Sequence, residues 1–232
     1  MKLSIILPTY NRMDDIDECL RSIYKQTCSP YEILVVDDSE DDQTEWLVKN
    51  RAVEFNEKKI PIRYIRHDGQ RSLARCENLG AKESHGDIIL ILDDDVVLEE
   101  NYIEEILKTY KEHPYALGVQ GYITNGYVPS PLKNILRRFL MYSYREKDGC
   151  SVLPNGHTSY PYEPRHVISC KWLSGCNNSW KRKVFDEFQF DNNLLGYSFN
   201  EDVDFSYRVY KKYPGSLLMT PKARLVHNTV KK

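Results

Sequence analysis

Between Asp87 and Asp95 the chain reads Asp-Ile-Ile-Leu-Ile-Leu-Asp-Asp-Asp, five large aliphatic residues running directly into three carboxylates. An apolar run bounded by charge predicts a strand buried on both faces, as in the middle of a parallel sheet. Ligands of open α/β sheets sit beyond the carboxyl ends of the strands, and three adjacent carboxylates repel one another unless a cation or hydrogen-bond donors neutralise them. With 34 acidic residues in 232, about 0.7 all-acidic triplets arise by chance, so the triplet alone carries little weight. What adds weight is its position at a strand exit and the Asp93-x-Asp95 spacing, which puts two side chains on one side of an extended backbone. A divalent-cation site is the expectation, and a solvated acidic turn the alternative. The loop lacks the glycine of an EF-hand, and Val96-Val97 fill liganding positions, so that kind of calcium site is disfavoured.

The length suits one large α/β domain over residues 1–232. A net charge of −2 and a pI of about 6.3 give no basic field for nucleic acid. Six cysteines without a C-x-x-C pair fit reduced thiols and a cytoplasmic location better than a zinc or disulfide framework. The apolar start Leu3–Pro8 is too short for a signal peptide, and no run reaches membrane-spanning length.

Taken in order, Leu3–Leu7 predicts a buried strand stopped at Pro8, which cannot continue a ladder. A helix follows from Asp14-Asp15, with Ile16, Cys19, Leu20 and Ile23 on one stripe. Glu32–Val36 predicts a strand ending at Asp37-Asp38-Ser39, with a short helix around Trp46 and Leu47. Ile62–Ile65 predicts a strand, Ser72–Ser84 a helix, and Glu100–Glu112 a helix with Ile103, Ile106, Leu107 and Tyr110 in register. Strands alternating with helices in this way point to a parallel, doubly wound arrangement. After a strand at Ala116–Ile123, residues 124–166 are rich in turn residues and tyrosines, with a helix at Leu132–Tyr144; so long an irregular segment is expected to be functional or disordered. The remainder predicts a strand at Val167–Leu173, a turn at Gly175–Asn178, a helix start at Lys181-Arg182-Lys183, a helix from near Asn200 to Tyr213, and a last strand, Ala223–Val226, delivering His227.

As a set, these pieces resemble the glycosyltransferase family 2 enzymes with the GT-A fold. The matching residues are Ile6 through Arg12, Leu34 through Ser39, Ser72 through Gly80, Gly86 through Asp95, Gly175 through Asn178, and Glu201-Asp202-Val203-Asp204-Phe205 with Arg208, all in the family's order. The resemblance implies a mostly parallel central sheet flanked by helices with an irregular acceptor-side insertion. It divides the domain into a nucleotide-sugar half, 1–122, and an acceptor-binding and catalytic half, 123–232. The implied reaction is transfer of a sugar from a nucleotide-diphospho-sugar donor to an acceptor hydroxyl, with inversion.

By the same resemblance, Pro8, Thr9, Tyr10, Arg12, Asp37, Asp38, Arg71, Arg75, Asp93 and Asp94 hold the donor. Asp95, His227 and Asp93 hold Mg²⁺ or Mn²⁺, whose charge would neutralise the leaving diphosphate. Asp202 is the base, Glu201 assists it, and Trp172, Gly175, Cys176 and Asn177 border a glycan or lipid-linked acceptor. One position departs from the family pattern: Glu77 stands where an arginine is customary, and Arg71 or Arg75 would have to supply the charge. Two rivals are a nucleotidyltransferase making a nucleotide-sugar, which would want a glycine-rich loop in place of Pro8–Arg12, and a non-catalytic module of the same fold. In 132–144, apolar Leu132, Ile135, Leu136, Phe139 and Leu140 alternate with Lys133, Arg137 and Arg138. That pattern suits peripheral contact with an anionic membrane, or packing on the domain or on a second subunit of a homodimer.

Overall fold

The computed structural model describes residues 1–146 and 149–228. Strand β1 (Leu3–Thr9) leads through α1 (Met13–Tyr24) to β2 (Glu32–Asp37), and α2 (Gln43–Glu57) leads on to β3 (Ile62–Arg66). Helix α3 (Leu73–Glu83) returns the chain to β4 (Ile88–Leu92), which lies beside β1. The four strands are parallel in the order β3-β2-β1-β4. Alternate residues of β4 face opposite ways: Ile88, Leu90 and Leu92 enter one hydrophobic cluster, and Ile89 and Ile91 enter the other. This is the two-sided burial expected of an uninterrupted aliphatic run.

The helices follow from their apolar stripes. Helix α1 buries Ile16, Cys19, Leu20 and Ile23, and α4 (Tyr102–Glu112) buries Tyr102, Ile103, Ile106 and Tyr110. Ser72 caps α3 by accepting a hydrogen bond from the Arg75 backbone N–H. Gly80 lets α3 approach β1, since a Cβ there would lie 2.4 Å from Ile6 Cγ2.

The second half completes a nine-stranded sheet in the order β3-β2-β1-β4-β10-β6-β11-β5, with β9 also pairing to β11. Its members are β5 (Val96–Leu98), β6 (Gly118–Ile123), β9 (Ile168–Cys170), β10 (Asn177–Lys181) and β11 (Leu217–His227). Helix α5 (Pro131–Phe139) and the small parallel pair β7 (Tyr144–Glu146) and β8 (Ser159–Pro161) occupy the irregular segment, and α6 (Glu201–Lys212) precedes β11. The α/β plan and flanked central sheet are those anticipated. The first four strands are parallel throughout, whereas in the second half β6 and β11 pair in parallel but β10 inserts antiparallel between β4 and β6.

Several local expectations are corrected. Strand β1 continues past Pro8 to Thr9 by pairing with β2 alone; its ladder with β4 ends at the Ile6–Ile91 pair, so Pro8 falls where no N–H is needed on that side. Helix α2 is longer than foreseen, and the 132–144 helix ends at Phe139. The expected strand over 167–173 is only Ile168–Cys170, and the last strand starts six residues early at Leu217. The expected helix start at Lys181 is the end of β10 followed by one 3-10 turn, Arg182–Val184.

Asn177 explains how so polar a segment becomes a central strand. Its side-chain oxygen accepts from the Gly121 N–H at 2.7 Å and from the Tyr102 hydroxyl at 3.1 Å, with the residue fully buried. Asn177→Ala would leave two buried donors without an acceptor, so urea denaturation should show a loss of about 3 kcal/mol in unfolding free energy.

Candidate active site

The divergence of β1 and β4 beyond Ile6 and Ile91 opens a crevice at their carboxyl ends, at the point where the winding of the sheet reverses. A cavity of about 430 Å³ fills it, lined by Pro8, Thr9, Tyr10 and Arg12 from the end of β1, by Asp38, Arg71 and Cys76, by Asp93, Asp94 and Asp95, and by Tyr197 and His227. A larger cavity, about 740 Å³, lies between α3 and the 182–192 segment, but it contains none of the three aspartates.

Each aspartate has different partners. Asp94 accepts from Thr9 Oγ1 at 2.7 Å and from Arg12 at 3.0 Å, and Arg12 also reaches Asp95 at 3.1 Å. Val96 pairs with His227 across β5 and β11, which brings the His227 ring to Asp95 Oδ1 at 2.9 Å and Asp93 Oδ2 at 3.6 Å. Burial, opposed by His227 and reinforced by Asp95 and Asp94, pushes Asp93 up to about 7. Burial likewise raises Asp94, to about 6, although Thr9 and Arg12 hold it back. Burial would raise Asp95 too, yet its ion pairs with His227 and Arg12 bring it below the ordinary carboxylate value. His227 is raised to about 11 despite burial, by Asp95, Cys176 and Asp93.

The donor set fits a hard divalent cation. Ligand atoms of Asp93, Asp95 and His227 all lie within 4.8 Å of one another. Asp95 Oδ1 is buried and has no well-aligned hydrogen bond among the described residues. Two carboxylates and one imidazole suit Mn²⁺ or Mg²⁺.

Beside this cluster stands a second group of acids. Asp202, in the first turn of α6, accepts from the Gly175 N–H and from its neighbour Val203 N–H, each at 2.7 Å. Cys176, next to Gly175, accepts from the Asp93 N–H at 3.2 Å, so the loop before β10 ties both acidic groups to one frame. Burial raises Asp202. Glu201 is pushed up to about 9 by burial and then by Asp202. Glu77 of α3 is 1% exposed, with Oε2 unpartnered among the described residues, and is raised well above the usual range by burial, then by Glu201, Asp93 and Asp202.

The remaining expected residues separate. Tyr10 lies under Arg71, whose guanidinium is 3.5 Å from the ring centroid, inside the crevice. Arg75 turns away, donating to the Asn192 carbonyl at 3.0 Å and lining the larger cavity, so of the two arginines offered against Glu77 only Arg71 is at the site. Asp38 is fixed by the Ser72 N–H and by His67 Nδ1 at 2.8 Å; Asp37 is buried against the Tyr64 hydroxyl and the Ser39 N–H. Trp172 is buried, its indole N–H donating to the Ser159 carbonyl, and Cys176 and Asn177 are buried as well. Cys176 and Asn177 point into the interior, whereas Trp172, though mostly buried, still shows a face to a groove of about 290 Å³. Gly175 remains at the site, where a Cβ would meet Glu201 Oε1 at 3.2 Å. Glu77, Tyr197 and His67 were not foreseen as site residues; only Glu77 had a signal, as the departure from the arginine.

Fold and site together define a nucleotide-sugar-type transferase architecture with an acidic crevice at the sheet's switch point. Residues 4–168 match glycosyl transferase family 2, and the chain belongs to that family. It is 30% identical to the uncharacterised glycosyltransferase YwdF of Bacillus subtilis over 92% of its own length and 69% of YwdF. It is 28% identical to glycosyltransferase GlyA of Streptococcus pneumoniae over 90% of this chain, which spans only 28% of GlyA. Among solved structures, the mannosyltransferase PcManGT of Pyrobaculum calidifontis, in complex with GDP-Man and Mn²⁺, superposes with a TM-score of 0.71 over all of this chain and 58% of its own, at 18% identity.

The buried acids have a consequence for stability. A carboxyl raised from 4.5 to about 9 favours the folded state most at low pH, and that contribution is lost as pH rises through the window between the two values. Melting temperature should therefore fall from pH 5 toward pH 9, and Glu201→Gln should flatten that slope. An unchanged slope in the variant would assign the dependence elsewhere.

Proposed function

We propose that this chain is an inverting glycosyltransferase that moves a sugar from a nucleotide-diphospho-sugar to an acceptor hydroxyl, with Asp202 as general base. The observation that carries the reading is the frame at residues 175–176, which couples the Asp202 carboxylate to the strand-end aspartates through two backbone hydrogen bonds. A transferase of this kind needs its donor's diphosphate and its acceptor's proton handled side by side, and a frame that ties the two acidic groups to adjacent residues supports that reading.

In this reading the nucleoside lies over Thr9, Tyr10 and Asp38, and Arg71 faces the diphosphate. Arg71 already stacks on Tyr10, and Asp38 is held with one oxygen on Ser72 N–H and the other on His67. Asp93, Asp95 and His227 would hold Mn²⁺ or Mg²⁺, which when bound supplies positive charge for the leaving diphosphate. Arg12 positions Asp94 and Asp95 by its two contacts.

The acceptor proton goes to Asp202. Its two N–H donors and the helix N-terminus favour the carboxylate, while each of its oxygens keeps a lone pair free. Its pKa, raised by burial, brings its basicity closer to working pH. Glu201 keeps its own proton and so can donate to the acceptor or to Asp202. Splitting the two carboxyls between a protonated and an ionised partner is how one pair supplies two roles.

Asp202→Asn preserves size and one of the two accepted N–H bonds but cannot take the proton, so turnover should fall at least about a hundredfold with nucleotide affinity unchanged. Near-normal turnover there, with collapse in Glu201→Gln, would exchange the two roles. A second measurement addresses the donor end: nucleoside diphosphate affinity should rise on adding Mn²⁺, and this increment should vanish in Asp95→Asn. Incubation with a panel of nucleotide-sugars should release nucleoside diphosphate; release of pyrophosphate from a sugar phosphate and nucleoside triphosphate would favour the nucleotidyltransferase instead.

A further inference from the structure

Helix α5 is built inside out. Leu132, Ile135, Leu136 and Phe139 fall at i, i+3, i+4 and i+7, the same stripe that α1 and α4 turn toward the core. In α5 none of the nine residues is buried, and these four are 78%, 67%, 55% and 82% exposed. The apolar surface continues into Leu140, Met141 and Tyr142, all exposed.

Polar bonds, not apolar burial, set the orientation of the helix. The Asn134 side chain accepts from the Arg145 N–H and donates to the Arg145 carbonyl, each at 2.8 Å, and Arg137 Nε donates to the Ser143 carbonyl at 2.5 Å. The polar face is thus clamped to the protein and the apolar face is held toward solvent. A contiguous exposed patch of this kind marks an interaction site.

Charge selects the occupant. Although 34 acids are spread through the chain, no Asp or Glu occurs between Glu112 and Glu146, while Lys133, Arg137, Arg138 and Arg145 do. A second copy meeting this patch face to face would bring cations against cations. An anionic bilayer accepts both the apolar stripe and the flanking cations. The helix is too short to cross a bilayer, and among the described residues no helix is long and apolar enough to do so, so contact here is interfacial.

We propose that α5 seats this chain on an anionic membrane surface, with Leu132, Ile135, Leu136 and Phe139 in the acyl boundary and Lys133 and Arg138 at the headgroups. The seat has a functional address. A groove of about 290 Å³, walled by Tyr127, Tyr144, Tyr160 and Trp172, is bordered by Arg137 of α5 and by Ser174, the neighbour of Gly175. Its Ser174 end is one residue along the chain from Gly175, whose N–H holds Asp202. Delivery of a membrane-borne acceptor along it rests on the transferase reading; the membrane seat itself does not.

The test is co-sedimentation of the chain with vesicles of phosphatidylcholine alone or mixed with phosphatidylglycerol, at low and high salt. Binding is expected to the mixed vesicles at low salt and to weaken with salt. Leu136→Asp with Phe139→Asp should abolish it, and Lys133→Glu with Arg138→Glu should weaken it by at least about tenfold. Both pairs are surface changes, so circular dichroism and donor hydrolysis should match the wild type; if the aspartate pair misfolds, the charge pair decides. Absence of binding to anionic vesicles at low salt overturns the proposal, as does undiminished binding by the charge pair. A dimer in sedimentation velocity that the aspartate pair dissolves would give the face to a second copy and also overturn it. Loss of transferase activity with vesicle binding intact would instead count against the catalytic reading alone.

Discussion

Three carboxylates held together in largely buried positions at the end of β4 are the most expensive feature of this fold, and much of its second half bears on them. Burying one ionised group costs several kcal/mol unless it is paired. Pairing comes from two directions, Thr9 and Arg12 from the end of β1 and His227 from the end of β11, while the Cys176 carbonyl fixes the backbone of Asp93. Asp93 and Asp94, raised by burial, show that neutralisation is incomplete. A bound cation would relieve the remainder, and it would have to displace the proton that makes His227 a rival cation.

That demand accounts for strands that look marginal by themselves. Strand β5 is three residues long, yet its pairing with Leu225–His227 fixes the distance between Asp95 and the imidazole. Strand β10 is polar, yet it lies antiparallel against β4 and so places Gly175 and Cys176 at the very edge where the aspartates emerge. The register Asn177–Leu92 leaves no room for slippage, because Asn177 is also spoken for by Tyr102 and Gly121.

This division explains what could be read from the chain in advance. Strands β1, β2 and β4 and helices α1 and α4 were legible because local apolar periodicity and burial agree. Asp93, Asp95, His227 and Asp202 came from position at element ends together with family resemblance. Strand β10 was not legible: Asn177-Asn178-Ser179-Trp180-Lys181 has turn-like composition, and tertiary hydrogen bonds rather than propensity make it a strand. Arg75 was misplaced for a related reason. It shares a helix with Cys76, which lines the crevice, but the direction of its side chain is decided by the Asn192 carbonyl, which lies far away in sequence.

Glu77 shows how a substitution against the family pattern can be absorbed. An ionised glutamate in place of an arginine would add negative charge to an already acidic crevice, but Glu77 is buried, has an oxygen without a partner among the described residues, and faces Glu201, Asp93 and Asp202. Each of these conditions disfavours the carboxylate and raises the Glu77 carboxyl well above the usual range. The change removes a positive charge, and its burial opposes the gain of a negative one. The positive charge left on that side is Arg71, held over Tyr10. Asp202 differs from Glu77 in having partners: two backbone N–H groups donate to its carboxylate and oppose the effect of burial.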